Sequence, residues 1–174
     1  MKRIFISFIV AGVLAVAGNF TLTSSDVGGQ LTKVQEFNGF GCNGQNVSPE
    51  LSWNGVPKGT KSFAITVYDP DAPTGSGWWH WIAVNIPANV TSIPAGASGK
   101  SMPKGTIETL NDFGSTGFGG ACPPKGDKHR YIFTVYALDV NKLPVKASTK
   151  PPVVGYQINA HTISKASIVS YYRR

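Results

Sequence analysis

Two histidines and an aspartate stand at the ends of strongly strand-like segments, and their types suit the holding of an anion. The first segment, residues 62–68 (Ser-Phe-Ala-Ile-Thr-Val-Tyr), runs straight into Asp69-Pro70-Asp71-Ala72-Pro73. Trp78-Trp79-His80 leads into the second, residues 81–86 (Trp-Ile-Ala-Val-Asn-Ile). The third, residues 131–138, follows Pro123-Pro124-Lys125-Gly126-Asp127-Lys128-His129-Arg130. A protonated imidazole donates from both ring nitrogens, and a neighbouring carboxylate favours that charged form. His80 and His129 beside Asp69 are therefore read as a site for a phosphate or carboxylate group, with Tyr131 as a further hydroxyl donor.

Each residue also has a plainer role. Asp69 is placed to cap the turn made by Pro70. Asp127 reads as a turn residue. Trp78, Trp79 and Trp81 read as core, Trp81 above all, and His80 among them needs hydrogen-bond partners if it is buried. Proline fixes φ and restricts the residue before it, so the ledge over 69–73 is stiff and holds Asp69 at a set angle. The functional reading rests on the combination: loop residues carried on the ends of adjacent strands are positioned by a rigid sheet.

The elements behind these residues are mainly β. The three segments are β-branched and aromatic and apolar at nearly every position, which predicts strands buried on both faces. Residues 19–37 read as one or two short strands, and 38–44 as a Gly-rich loop. Residues 87–106 read as loop, 153–165 as the one stretch with helical character, and 166–172 as a closing strand. With 20 glycines and 12 prolines among 174 residues, turns are frequent, which fits many short strands. The length fits one domain, and 41% apolar residues exclude a disordered chain.

Lys2-Arg3, an apolar stretch over 4–16 and Ala15-Val16-Ala17 form the three-part pattern of a secretory signal over 1–17. The apolar stretch is short of the roughly 20 residues of a spanning helix. The expectation is a leader over 1–17 and a domain over 18–174 with no transmembrane segment in the mature chain, periplasmic or secreted. The formal charge of +7 is scattered rather than clustered, which argues for anionic partners but against nucleic acid. Cys42 and Cys122 are the two cysteines, and an oxidising compartment favours a bond between them. That bond would pin the Gly-rich loop at the rim of the pocket.

The ordered set Asp69-Pro70-Asp71-Ala72-Pro73, then Trp79-His80, then Pro123-Pro124-Lys125-Gly126 and His129-Arg130-Tyr131 resembles the phosphatidylethanolamine-binding protein family, which includes the Raf kinase inhibitor proteins. Ser48-Pro49-Glu50-Leu51-Ser52-Trp53 and Asn111-Asp112-Phe113-Gly114 are similar to its bacterial YbhB/YbcL group. The resemblance spans about residues 19–173. It implies a β-sandwich of two antiparallel sheets with one or two short helices, and a small pocket for phosphate, acetate or a phosphoryl head group. Matched by motif, Asp69, His80, His129 and Tyr131 are implied pocket residues, Pro73 and Pro124 implied wall prolines, and Asp71 and Trp78 lie in the same region. Eukaryotic members carry glycine where this chain has Cys122, and a tyrosine-bearing helix after the position where this chain has Ser170-Tyr171-Tyr172. Their kinase-binding role is therefore not carried over.

The expected function is a non-enzymatic protein that takes a small anion or phosphoryl head group and modulates a partner, kinase-like or protease-like, with no cofactor. Two alternatives stand beside it. One is a metal-dependent hydrolase with Asp69, Asp71, His80 and His129 as ligands, a set for which no H-E-x-x-H or close histidine pair speaks. The other is an interaction or protease-inhibitor module in which the pocket is secondary.

Overall fold

The computed structural model describes residues 19–174; the leader expected over 1–17 lies outside them. In chain order the elements are β1 (Thr21–Thr23), β2 (Asn38–Gly39), β3 (Cys42–Asn43), β4 (Leu51–Asn54), β5 (Ser62–Asp69), β6 (Trp78–Pro87), β7 (Ser92–Ile93), β8 (Ile107–Glu108), β9 (Lys128–Leu138), α1 (Pro151–Ala160) and β10 (Thr162–Arg173). The three strongest apolar segments become β5, β6 and β9. They sit inside a five-stranded antiparallel sheet of order β10-β9-β5-β6-β8. Central position explains why they are apolar at almost every residue: both faces are covered.

One face packs on the three-stranded sheet β1-β4-β7. Leu22, Leu51, Trp53, Phe63, Ile65, Trp81, Phe133 and Val135 fill the layer between. The other face, through Ala64, Ile82, Val84 and Leu138, takes Val154 and Ile158 of α1. The fold is thus mainly β, with antiparallel sheets and one short helix, as the sequence predicts. No helix among the described residues is long and apolar enough to cross a membrane.

One expectation is corrected. The helix spans Pro151–Ala160, earlier than predicted, and residues 162–165 are already strand. Pro151 starts the helix because a first-turn residue needs no N–H partner. The alternation Thr162-Ile163-Ser164-Lys165 suits the edge strand better than another helical turn. Residues 19–37 hold one short strand, Thr21–Thr23, within the one or two expected. Gln30 and Glu36 make isolated bridges to Tyr171 and Ala121, since the intervening polar and glycine residues bury too little apolar surface for a ladder.

One irregularity positions the chemistry. Val67 pairs with Trp81 and Tyr68 with Trp79, so His80 is an extra residue on β6 with no partner on β5. Such a bulge re-aims a side chain. In a regular strand His80 and Trp81 would point to opposite faces. With the bulge, Trp81 stays in the core between the sheets, Trp79 packs on the helix side, and His80 joins Trp78 and Asp69 around one cavity.

Candidate ligand-binding site

The site forms where β5 ends, β6 begins and β9 begins. Asp69 pairs with Trp78 across β5 and β6, while His129 and Tyr131 lie two apart on β9 and share a face. Asp69, His80, His129 and Tyr131 are all buried, and together they line a cavity of about 260 Å³. Pro73, Trp78 and Pro124 also line it. Seven of the eight residues expected from sequence are therefore at one place.

The Asp69 carboxylate has two jobs. Oδ1 accepts the Asp71 backbone N–H at 2.8 Å, closing the turn over Pro70. Oδ2 lies 2.8 Å from His129 Nδ1 and 4.0 Å from His80 Nε2. The turn-capping role and the site role are both realised, one on each oxygen. Facing a carboxylate, His129 donates from Nδ1, which leaves Nε2 as its other ring nitrogen.

His80 is held from the opposite side. Its Nδ1 meets the carbonyl oxygens of Gly119 at 2.8 Å and Gly120 at 3.1 Å. Both partners are acceptors, so Nδ1 carries the proton. The backbone returns the contact, with Gly119 N–H donating to the His80 carbonyl at 2.8 Å. Only glycine fits where this segment passes residues 35–37: a Cβ on Gly120 would come 2.2 Å from the Gln35 carbonyl oxygen. Burial, the largest influence, pushes the His80 pKa from 6.5 down to about 4, against Gly119, Asp69 and Gly120, which favour the charged form. The expectation that Asp69 keeps both histidines charged is thus corrected for His80. At neutral pH its Nε2 is an acceptor.

Tyr131 is 1% exposed, and its hydroxyl has no hydrogen-bond partner of good geometry, with the Cys122 backbone close enough to act against the rise in its pKa. Burial, followed by the Asp69 charge, raises the phenol pKa, so the group stays neutral. Asp71 is the exception among the expected residues: it does not line the cavity. Arg130 grips it through Nε at 2.9 Å and Nη2 at 2.6 Å. That hydrogen bond leads the effects that hold its carboxyl at about 2. Asp71 therefore ties the proline ledge to β9 from outside. Among the described residues, no group of three or more His, Cys, Asp and Glu side chains is arranged to hold a metal ion.

The mouth carries the expected disulfide and, beside it, residues that motif reading passed over. Cys42 and Cys122 form a disulfide with their Cα atoms 6.0 Å apart. It fastens the loop between β2 and β3 to the wall beside Pro123. Phe40, at the tip of that loop, has φ of 54° and is 69% exposed. A bulky residue rarely adopts this conformation. The Phe40 ring stacks on Phe113 at 5.6 Å, and Phe113 meets His80 edge-on at 5.3 Å. Asp112 fixes the Phe113 loop by accepting the Trp79 N–H at 2.7 Å. Arg174 completes the rim.

Residues 23–173 match the sequence profile of the phosphatidylethanolamine-binding proteins. The chain belongs to that family. YbcL of Escherichia coli (strain K12) is 53% identical over 99% of this chain and 98% of its own length. YbhB of the same organism is 50% identical over 87% of this chain and 98% of its own. The crystal structure of E. coli YbcL superposes with a TM-score of 0.87 over 89% of this chain and 98% of that one, at 55% identity. A Chlamydia trachomatis homologue of the phosphatidylethanolamine-binding proteins gives 0.75 at 30% identity, over 89% and 97%.

Within this family fold, the residues that sequence reasoning missed are Phe40, Phe113 and Arg174. Phe113 stood inside a noted motif, but only the Asp112 contact shows where its ring goes. Tyr171 and Tyr172 do not reach the cavity. The Tyr172 hydroxyl donates to buried Glu36, and the Tyr171 ring lies under Lys128 at 4.3 Å. No spacing rule singles out Arg174, because its position follows from the register of β10 on β9.

Proposed function

We propose that this phosphatidylethanolamine-binding family protein is an exported, non-enzymatic binding protein whose pocket takes a small anionic or phosphoryl group. The observation that carries the reading is the Tyr131 hydroxyl, buried without a partner on the wall of a cavity floored by Asp69, His80 and His129. Buried polar groups are nearly always hydrogen-bonded, so an orphan beside a cavity is a group kept for a ligand or a water. Hydrogen phosphate, a dianion that keeps one P–OH, matches the set. Its P–OH donates to the acceptor nitrogen of His80, and its remaining oxygens accept from Tyr131. The apolar walls, Pro73, Trp78, Phe113 and Pro124, exclude water and strengthen those bonds.

The disulfide supports export, since such bonds persist in oxidising compartments. The exposed Phe40 ring beside the mouth supports a modulatory role toward a protein partner, with the filled pocket as part of the docking face. Equilibrium dialysis of the disulfide-bonded protein against labelled inorganic phosphate tests the binding. Saturable uptake at one site, displaced by phosphoethanolamine, is expected. Absence of saturable uptake at millimolar phosphate contradicts the reading.

A further inference from the structure

Asp69 is the carboxylate on the cavity wall, and Arg174 is the permanent cation there. The other basic groups nearby are engaged elsewhere. Arg130 is forked onto Asp71, and Lys128 lies over the Tyr171 ring. His80 is neutral at pH 7. An arriving anion therefore meets the Asp69 carboxylate, already bonded to His129, and the Arg174 guanidinium at the rim.

The Arg174 guanidinium sits in a defined frame. Nη1 donates to the Phe40 carbonyl at 3.3 Å and to Cys122 Sγ at 3.5 Å, and Nη2 donates to the Gly41 carbonyl at 2.5 Å. Gly41 is required for this approach: its φ is +78°, and a Cβ there would lie 2.8 Å from Nη2. A guanidinium has five N–H donors. Three are used in these contacts, so Nε–H and one Nη2–H have no protein partner among the described residues. No carboxylate of the described residues forms an ion pair with Arg174 either; those that pair are with Lys33, His80, His129, Arg130 and His161. The result is a held guanidinium with unspent donors at the rim of a cavity that also holds the Asp69 carboxylate.

We propose that Arg174 is the charge-selecting residue of the pocket, making it prefer a doubly charged phosphoryl group to a singly charged carboxylate. The guanidinium can bond oxygens of either group, so the preference comes from the second negative charge, and each charge-assisted bond is about twice as strong as a neutral one. The loop between β2 and β3, pinned by its disulfide, then holds Arg174 at the angle from which it meets the anion. This inference rests on the anion-binding function proposed for the same pocket.

The test compares Kd values for inorganic phosphate and acetate in the disulfide-bonded parent, R174Q and R174K, at low and high salt. In the parent, phosphate binds more tightly than acetate and weakens with salt. R174Q raises the phosphate Kd about tenfold or more, raises the acetate Kd much less, and flattens the salt dependence. R174K, which keeps the charge but loses the fork to the loop carbonyls, retains most of the preference. A parent that binds both anions and an R174Q variant with an unchanged ratio overturn the inference and leave the anion pocket standing. An R174K variant as impaired as R174Q also overturns it, because the residue then only braces the loop. A parent that binds neither anion overturns both.

Discussion

His129 Nδ1 stands 2.8 Å from Oδ2 of Asp69, deep in the cavity where β5 and β9 meet. One oxygen of this carboxylate orients an imidazole while the other closes the turn over Pro70. Asp69→Asn keeps an oxygen for the turn but sets an amide N–H₂ against the His129 Nδ1–H. The expected cost is about 1–3 kcal/mol of stability, with the His129 proton moved to Nε2. Urea unfolding and ring ¹⁵N shifts check both, and a His129 tautomer unchanged in the variant would contradict the assignment.

His80 gives the protein a defined pH window. Its folded pKa, about 4, lies below its unfolded value of 6.5. Between these values the unfolded chain binds the extra proton, so stability is complete above about pH 6.5 and falls as pH drops toward 4. The Asp71 carboxyl, also lowered, acts in a more acidic window, below its ordinary value of 3.8. Unfolding free energies measured from pH 8 to 4 should show this slope, and His80→Gln should lack its share of it. An NMR titration in which His80 protonates near 6.5 would refute the assignment of a neutral, buried imidazole.

Tyr131→Phe separates the needs of the fold from those of the ligand. The hydroxyl has no partner to lose, so the unliganded variant should match the parent within about 1 kcal/mol or exceed it. Phosphate affinity should drop about tenfold or more, the worth of one hydrogen bond to a charged oxygen. Calorimetric titration beside thermal unfolding measures the two separately. A variant that is strongly destabilised yet binds normally would reverse the assignment.

The disulfide links residues 80 apart in sequence. By loop-closure entropy, removing it costs about 4–5 kcal/mol. Cys42→Ser with Cys122→Ser should lower the urea midpoint and make the Gly-rich loop at 39–44 the first site of protease cleavage. An unchanged midpoint would mean that the folded loop is held by Arg174 and packing alone.

The central sheet was legible because β5, β6 and β9 are buried on both faces and carry that fact at nearly every position. Asp69, His80, His129 and Tyr131 were legible as pocket residues because they stand at the ends of those strands. What escaped depends on long-range register. The bulge that turns His80 inward is visible only once Val67 pairs with Trp81 and Tyr68 with Trp79. The neutrality of His80 comes from burial against the carbonyls of Gly119 and Gly120, which are remote in sequence. Asp71 looked like a ligand group because it shares the proline ledge with Asp69, yet Arg130 on the neighbouring strand β9 claims it. Arg174 carries no motif; the pairing of β10 with β9 delivers it to the rim.

The most direct test is a phosphate titration of the disulfide-bonded protein followed by the ring signals of its three histidines. His161, half-buried at the end of α1 and bonded to Asp139 at 3.0 Å, is the internal control. An anion pocket at Asp69, His80, His129 and Tyr131 predicts saturable shifts of His80 and His129 with His161 unmoved. Signals of His80 and His129 that stay constant at millimolar phosphate, or that move only in step with His161, would contradict it.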